Sequence, residues 1–260
     1  MDMLRQALRA GHDEPAVARP RRHGTWLAGG GGALGAAVLE ALLASRAFAP
    51  VRVLVTQGFH ATVQGLQTQD ITTLADAAGL PLAVVVFDKP RHANGREAAF
   101  WQPPPAGLPA LATQLHALGT RHLIVVLPHD GATLPQALKA GLANLDEQAV
   151  AALGFEHVVL VRTAQRPEAL QRPGLQRVAD LVLAQLRLMV PQRDQPVRPV
   201  KVAALVAALA RALPGSPAGT RVLAPEWVWQ AAQGGDVDAL VADWLAGAPL
   251  PMVTPPRQRL

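Results

Sequence analysis

Short apolar, β-branched segments recur along this chain and alternate with segments of helical composition. Four of them are long enough to be buried strands: residues 51–55 (VRVLV), 82–87 (LAVVVF), 122–127 (HLIVVL) and 157–162 (HVVLVR). Strands that are apolar on both faces are typical of parallel sheets covered by helices on each side. The sequence therefore predicts an α/β fold, a doubly wound parallel sheet that is Rossmann-like with a small C-terminal lobe.

The segments between these runs complete the predicted order of elements. Two further short strands are expected at residues 25–28 and 222–224. Helices are predicted from composition and periodicity at 36–45, 71–79, 108–118, 134–153, 178–189, 202–213 and 227–244. The helix at 202–213 is apolar on nearly all sides, which predicts deep burial or a dimer contact.

No internal repeat or change of composition divides the chain. We therefore expect one domain over residues 24–248, with the C-terminal lobe starting near residue 163, a flexible basic leader at 1–23 and a Pro-rich tail at 249–260. The loop between Lys89 and Gly107 contains three consecutive prolines, and its length predicts a surface lid or insertion.

The residue types that the chain lacks exclude several kinds of site. There is no cysteine, which removes disulfides, thiolate nucleophiles and Cys-ligated metals, and there is no tyrosine. Ser45 and Ser216 are the only serines, and neither lies in a G-x-S-x-G turn. The eight histidines show no metal-ligand spacing along the chain, so we expect no metal site.

Charge and hydropathy limit the partners. The net charge is +5, but no run of basic and aromatic residues interleaves, so a nucleic-acid partner is not expected. No apolar run is long enough to span a membrane, and residues 1–5 show no signal-peptide core. The sequence predicts a soluble, cytoplasmic protein, and its abundance of Ala, Arg, Gly and Pro suggests a bacterial origin.

A run of glycines follows the first predicted strand and opens the first predicted helix. It fits two spacings, Gly30-x-Gly32-x-x-Gly35 and Gly29-x-x-Gly32-x-x-Gly35. In dinucleotide-binding folds such glycines let the backbone turn sharply and approach a pyrophosphate, which the helix N-terminus then binds. The predicted pyrophosphate contacts therefore include these four glycines together with Ala33 and Leu34. The alternative is a turn that only packs the helix on the sheet.

The cofactor preference is inferred from a missing residue. An acidic side chain about twenty positions further on binds the ribose of NAD, but no Asp or Glu occurs between Glu40 and Asp70. Thr56 and Gln57, at the end of the second strand, and His60 suit a 2′-phosphate better, so NADP is preferred over NAD.

Two charged residues at further strand ends complete the predicted cofactor-binding set, namely Asp88 and Arg162. Each has a plainer interpretation. Asp88 and Lys89 are expected to pair with each other or be solvated rather than react. Arg162 could contact a phosphate or carboxylate, or bridge loop carbonyls as a structural residue.

The sequence resembles the atypical short-chain dehydrogenase/reductase family, the NAD(P)H-binding group related to nucleotide-sugar epimerases. The resemblance covers about residues 24–225. It is carried by A-G-G-G-G-A-L-G at 28–35, H-L-I-V-V-L-P at 122–128, L-G-F-E-H-V-V-L-V-R-T at 153–163 and P-V-R-P-V-K-V-A-A-L-V-A-A-L at 196–209. It implies a Rossmann fold that binds NAD or NADP.

The catalytic residues that the resemblance implies are missing. The family uses a Ser after the fifth strand and a Tyr four residues before a Lys. The serine position falls on Pro128 or His129, and taking Lys139 as the lysine puts Pro135 at the tyrosine position. His129 and Lys139 are the candidate substitutes.

The tryptophans give further expectations. Trp26 should lie in the core, and Trp101 is the candidate for a ligand lid or a partner contact. Trp227, Trp229 and Trp244 are expected to pack on the body or to form a protein interface.

Three functions therefore remain open. The first is a dinucleotide-binding protein without reductase chemistry that acts as a sensor, regulator or accessory subunit. The second is an oxidoreductase or epimerase with relocated catalytic groups. The third is a nucleotide-free scaffold, and a protein partner or a homodimer is possible.

Overall fold

The computed structural model describes residues 22–59, 63–88, 96–129, 146–164 and 196–249. Seven strands in these ranges form one sheet in which all neighbouring strands are parallel. They are β1 (His23–Ala28), β2 (Phe48–Val55), β3 (Leu66–Asp70), β4 (Leu82–Val86), β5 (His122–His129), β6 (His157–Ala164) and β7 (Gly219–Leu223). Their order is β3-β2-β1-β4-β5-β6-β7, the Rossmann order extended by one strand. The predicted fold class is confirmed.

Five α-helices connect or cover these strands. They are α1 (Gly32–Ala44), α2 (Leu108–Ala117), α3 (Pro199–Ala212), α4 (Pro225–Ala232) and α5 (Val237–Leu245). Residues 146–151 are also helical. Short 3₁₀ segments occur at Ile71–Asp76, Arg96–Ala99, Pro105–Gly107 and Leu213–Gly215.

The sheet separates two apolar layers, and β4 shows why its sequence has no polar alternation. Leu82, Val84 and Val86 face one layer, while Ala83 and Val85 face the other. The first layer contains α1, α3, α4 and α5, and the second contains α2. Because both faces are covered, each side chain of β4 is buried.

Helix α3 lies at the centre of the first layer. Eight of its fourteen residues are buried within the chain, including Val202, Leu205 and Leu209. Of the two outcomes predicted for this segment, burial is the one observed. Trp26 is buried as predicted, and Trp227 and Trp244 are partly buried against the same layer as α3.

Three elements differ from prediction. Residues 71–79 were predicted to be helical, but only Ile71–Asp76 forms a turn of 3₁₀ helix, which Asp70 caps by accepting from the Thr72 N–H. The single helix predicted at 227–244 is two helices, because Gly234 and Gly235 adopt φ of +111° and +122° between them. The polar edge strand β3 was not predicted.

Several predictions fall outside the described residues. They concern most of the leader, nearly all of the tail, the helix at 178–189, most of the helix at 134–153, and the part of the C-terminal lobe at 165–195.

None of the helices that the structure describes is long and apolar enough to cross a membrane.

Candidate functional site

The glycine turn lies at the point where the strand order reverses. β1 has β2 on one side and β4 on the other, and the chain runs outward from β1 in both directions. Ligands of open α/β sheets bind at this position, outside the carboxyl ends of the strands. Gly29 and Gly32 turn the chain with φ of +81° and +77°, and α1 begins at Gly32.

Two of the glycines are required by packing alone. A Cβ on Gly29 would lie 1.9 Å from the Val86 carbonyl oxygen, and a Cβ on Gly35 would lie 1.9 Å from the Gly29 carbonyl oxygen. No side chain fits at either distance. Close packing of the turn on β4 and of α1 on the turn therefore explains Gly29 and Gly35 without any ligand.

The N-terminus of α1 already holds an anion, the carboxylate of Asp88. Its Oδ2 accepts hydrogen bonds from the Leu34 N–H at 2.6 Å and from the Gly35 N–H at 3.4 Å. The first turn of α1 has no acidic residue of its own, and the Gly31 N-cap has no side chain to accept these bonds. Asp88, two residues after β4, supplies the negative charge that the helix dipole favours, where a dinucleotide would place a phosphate.

A segment of the predicted lid crosses the ends of β1 and β2. We call residues 96–104 the strap. The Trp101 N–H donates to the Leu54 carbonyl at 3.0 Å, and the Trp101 carbonyl accepts from the Gly29 N–H at 3.1 Å. The Thr56 N–H donates to the Ala99 carbonyl at 2.9 Å. These backbone hydrogen bonds hold the strap at the carboxyl ends of β1 and β2, where the ligand crevice begins.

Two strap side chains cover the outer face of the glycine turn. A Cβ on Gly30 would lie 3.0 Å from Phe100 Cδ1, and a Cβ on Gly31 would lie 2.5 Å from the end of the Gln102 side-chain amide. The Gln102 amide is satisfied when its oxygen accepts from the Gly31 N–H and its nitrogen donates to the Asp88 carbonyl, both at 3.3 Å. Phe100 and Gln102 therefore occupy the face along which a pyrophosphate would approach.

The strap also covers the path toward the end of β2, where the adenosine ribose lies in Rossmann sites. The Thr56 hydroxyl donates to strap carbonyls at 3.3 Å, so it is not directed at a ligand. Gln57 is exposed. Arg52 lies earlier on β2, over the ring of Trp26 and bonded to Gln67.

The described residues leave space in the other half of the crevice. A cavity of about 590 Å³ lies between the N-termini of α1 and α3 and the end of β6. Its walls include Ala33, Leu34, Asp88, Thr163 and Arg198. Arg198 is exposed and has no ion-pair partner among the described residues. The N-terminus of α1 is already paired with Asp88, while the N-terminus of α3 and the Arg198 guanidinium suit an anionic ligand.

Arg162 forms an ion pair within the chain. Its Nη2 lies 2.8 Å and 3.1 Å from the two carboxylate oxygens of Glu147, at the helical turn 146–151. This partner differs from the loop carbonyls expected of a structural Arg162, and the phosphate contact stays a prediction.

The candidate catalytic residues gain no support from the described geometry. His129 ends β5, but its side chain is not described, and Lys89 and Lys139 lie outside the described residues. The Ser45 and Ser216 hydroxyls donate to the Leu42 and Leu213 carbonyls, at helix ends away from the crevice. No tyrosine exists in the chain.

Sequence reasoning missed the strap contacts of Phe100 and Gln102. The length of the loop and its prolines predicted a lid, but nothing local indicates which surface a lid covers. Trp101, predicted to be a lid or partner contact, is partly buried in the α2 layer and acts mainly through its backbone.

Comparison with known proteins gives only distant likenesses. No protein-family model and no curated protein matches the sequence. The solved structures that resemble it include the Bordetella bronchiseptica enzyme WbmG in complex with NAD, at 17% identity and a TM-score of 0.46 over 93% of this chain and 84% of that one.

A short-chain dehydrogenase/reductase superfamily protein from Agrobacterium tumefaciens with bound NAD is 14% identical, with a TM-score of 0.42 over 86% of this chain and 96% of that one. The B. bronchiseptica enzyme WbmH in complex with NAD⁺ is 13% identical, with a TM-score of 0.38 over 78% of this chain and 86% of that one. The ligand of this chain has to be argued from its own residues.

Proposed function

We propose that this protein binds a dinucleotide in the crevice at the glycine turn and responds to it without reductase chemistry, as a sensor, regulator or accessory subunit. The observation that carries the proposal is the anion at the N-terminus of α1. Two backbone N–H groups of this helix already bind a carboxylate at the switch point of the sheet. A phosphate is recognised there by the same donors and the same dipole.

A whole dinucleotide can bind only by displacing groups of the chain that now occupy its place. A phosphate of the ligand replaces the Asp88 carboxylate, and the rest of the dinucleotide displaces Phe100 and Gln102 from the glycine turn. The released strap then exposes surface that is covered in the ligand-free chain. This exchange converts ligand binding into a change of shape, which is what a sensor or regulator needs.

We propose NADP(H) as the preferred ligand over NAD(H). No carboxylate stands between Glu40 and Asp70 to bind a free ribose 2′-hydroxyl. Thr56 and Gln57 are uncharged, so a 2′-phosphate meets no like charge from them.

We further propose that the chain is an atypical, catalytically silent relative of the short-chain dehydrogenase/reductases. Its strand order and glycine turn fit that group, while its lack of tyrosine removes the usual proton donor in any alignment. The alternative of relocated catalytic groups depends on His129 and Lys139.

The strap itself favours a second candidate function, a nucleotide-free interaction scaffold. Its backbone bonds, with Phe100 and Gln102, fill the adenosine half of the crevice with the chain's own atoms. In that case the glycine turn would serve only the packing that Gly29 and Gly35 already explain.

Calorimetric titration of the purified chain with NADPH and NADH tests the proposal. Gly32→Asp places a negative charge at the start of α1, and Asp tolerates a positive φ better than most residues. Gly215→Asp is the matched control, since nothing lies within 4 Å of its Cβ position and it is far from the crevice.

Micromolar binding that favours NADPH, is lost in Gly32→Asp and is kept in Gly215→Asp is the expected result. Absence of heat with both nucleotides would overturn the proposal and favour the scaffold. Equal affinity for the two nucleotides would overturn the NADP preference alone.

A further inference from the structure

Two histidines are in contact at the amino-terminal ends of two neighbouring strands, at the opposite end of the sheet from the crevice. His122 is the first residue of β5 and His157 the first of β6, and the two are direct partners in the parallel register. Only 7% of His122 and none of His157 is exposed. The pair is separated by 35 positions in sequence, so spacing along the chain gave no sign of it.

The hydrogen bonds of this pair fix its protons. His157 Nε2 lies 3.0 Å from the Ser216 carbonyl oxygen, which can only accept, so Nε2 carries a hydrogen. The Nδ1 atoms of the two rings lie 2.9 Å apart, and only one hydrogen fits between them. The pair therefore presents two nitrogen lone pairs that share a single proton.

A carboxylate stands beside this nitrogen pair. Glu156 precedes His157 in the chain and is exposed, and one of its oxygens and one nitrogen of each histidine all lie within 4.8 Å of one another. Two imidazoles and a carboxylate form a donor set that suits Zn²⁺.

We propose that His122 Nδ1, His157 Nδ1 and the Glu156 carboxylate bind Zn²⁺ in place of the shared proton, with water as the fourth ligand. Zn–N bonds of about 2.0–2.1 Å at a tetrahedral angle put two nitrogens roughly 3.4 Å apart. The rings therefore separate by about half an ångström, and Glu156 changes its side-chain rotamer. The proton between the rings moves from Nδ1 to Nε2 of His122 by way of solvent, so that both rings bind the ion as neutral imidazoles.

Some of the groups around the pair favour the binding of Zn²⁺ and others disfavour it. The Ser216 carbonyl orients His157 through its Nε2–H, as an outer partner does for metal-binding histidines. Burial, assisted by His157, Arg121 and His23 and opposed by Glu156, lowers the pKa of His122 and so disfavours its protonated form. The positive charge of Arg121 also repels a cation, so we expect micromolar rather than nanomolar affinity.

The site would act as a cross-link. Its ligands join the first residues of β5 and β6, and the bond from His157 extends the link to Ser216, just after the 3₁₀ turn at Leu213–Gly215. A bound ion raises the free energy of unfolding in proportion to the logarithm of its concentration above Kd. The proposal is independent of the nucleotide site.

The test uses the full chain freed of metal by a chelator and titrated with zinc chloride by calorimetry. Cobalt(II), followed by its visible absorption, reports tetrahedral coordination directly. Glu156→Gln changes an exposed ligand and is expected to fold normally, and His122→Gln removes a ring nitrogen. His116→Gln is the matched control, because His116 packs edge-on against Phe155 and lies outside the cluster.

One-to-one binding in the micromolar range is expected, weakened at least about ten-fold in Glu156→Gln and abolished in His122→Gln. His116→Gln should bind as the wild type does. The proposal is overturned by an absence of one-to-one binding, or by binding that Glu156→Gln leaves unchanged. The Glu156→Gln result decides if His122→Gln does not fold.

Discussion

Asp88 lies where a ligand phosphate is expected and makes the same contacts that a phosphate would make. Replacing it has opposite effects on the free and the bound chain. Asp88→Asn weakens the cap of α1, because a neutral amide oxygen accepts from the Leu34 N–H less strongly than a carboxylate. The same change removes the negative charge that a phosphate must displace.

We therefore expect Asp88→Asn to bind NADPH about five- to ten-fold more tightly while its thermal midpoint falls. That ratio corresponds to about 1–1.4 kcal/mol, below the usual strength of a bond to a charged group because Asp88 is partly exposed. Asp243→Asn, an exposed change of the same charge on α5, controls for net charge. Weaker NADPH binding in Asp88→Asn would show that the carboxylate contributes to the ligand site.

The glycines of the turn are expected to differ in how far they tolerate alanine. In Gly35→Ala the new Cβ meets the Gly29 backbone oxygen, which cannot move without opening the turn. In Gly31→Ala the nearest atom is the end of the Gln102 side chain, which can rotate away. Urea unfolding should give a loss of roughly 3 kcal/mol or more for Gly35→Ala and about 1 kcal/mol or less for Gly31→Ala. Equal losses would contradict the packing described for α1.

At the scale of elements, the strap covers the ends of β1 and β2 beside the glycine turn. Three amide hydrogens bond between the strap and the sheet, those of Gly29, Thr56 and Trp101. A dinucleotide that lies along the glycine turn displaces the strap and so separates these three N–H groups from their acceptors. We expect saturating NADPH to speed their exchange with solvent, measured by amide hydrogen exchange with NMR detection.

The amides of Val125 and Val159, in the centre of β5 and β6, serve as the internal control and should not change. Slower exchange of the Gly29, Thr56 and Trp101 amides in the presence of NADPH would mean that the ligand binds while the strap stays in place. That result would contradict the proposed displacement of the strap by the ligand, but not the proposal that the chain binds a nucleotide.

The elements that could be predicted from sequence are those specified by local pattern. β4 and β5 are continuous apolar runs, which only a doubly covered sheet accommodates. The edge strand β3, with the sequence LQTQD, carries no such pattern and forms because β2 offers it a free edge. Its pairing is a tertiary effect that composition does not contain.

The residues of the candidate site also fall into those that a local sequence pattern identifies and those that it does not. The positions of Gly29 and Gly32 follow from the turn that they must make, so the glycine pattern identified them. The contacts of Asp88 and Gln102 join residues far apart in the chain, and so does the pair of His122 and His157. Sequence placed Asp88 at a strand end but could not show that its carboxylate turns back onto α1.

At the scale of the whole molecule, chemistry is limited by what the chain lacks. Reduction of a carbonyl by a nicotinamide needs a group that gives a proton to the substrate oxygen. The chain has no tyrosine, and both serine hydroxyls bond to backbone carbonyls away from the cavity between α1 and α3. The proposed binding can therefore be tested separately from turnover.

We expect no oxidation of NADPH above the rate without protein across a panel of aldehydes, ketones and nucleotide sugars, measured by loss of nicotinamide absorbance. His129→Ala should behave as the wild type in this assay and in NADPH titration, because the proposed signal is displacement of Asp88 and the strap rather than hydride transfer. Turnover that His129→Ala abolishes would show that the proton donor has moved to the end of β5. The lack of tyrosine would then mark a change of catalytic residue, and the open half of the crevice would be a substrate site.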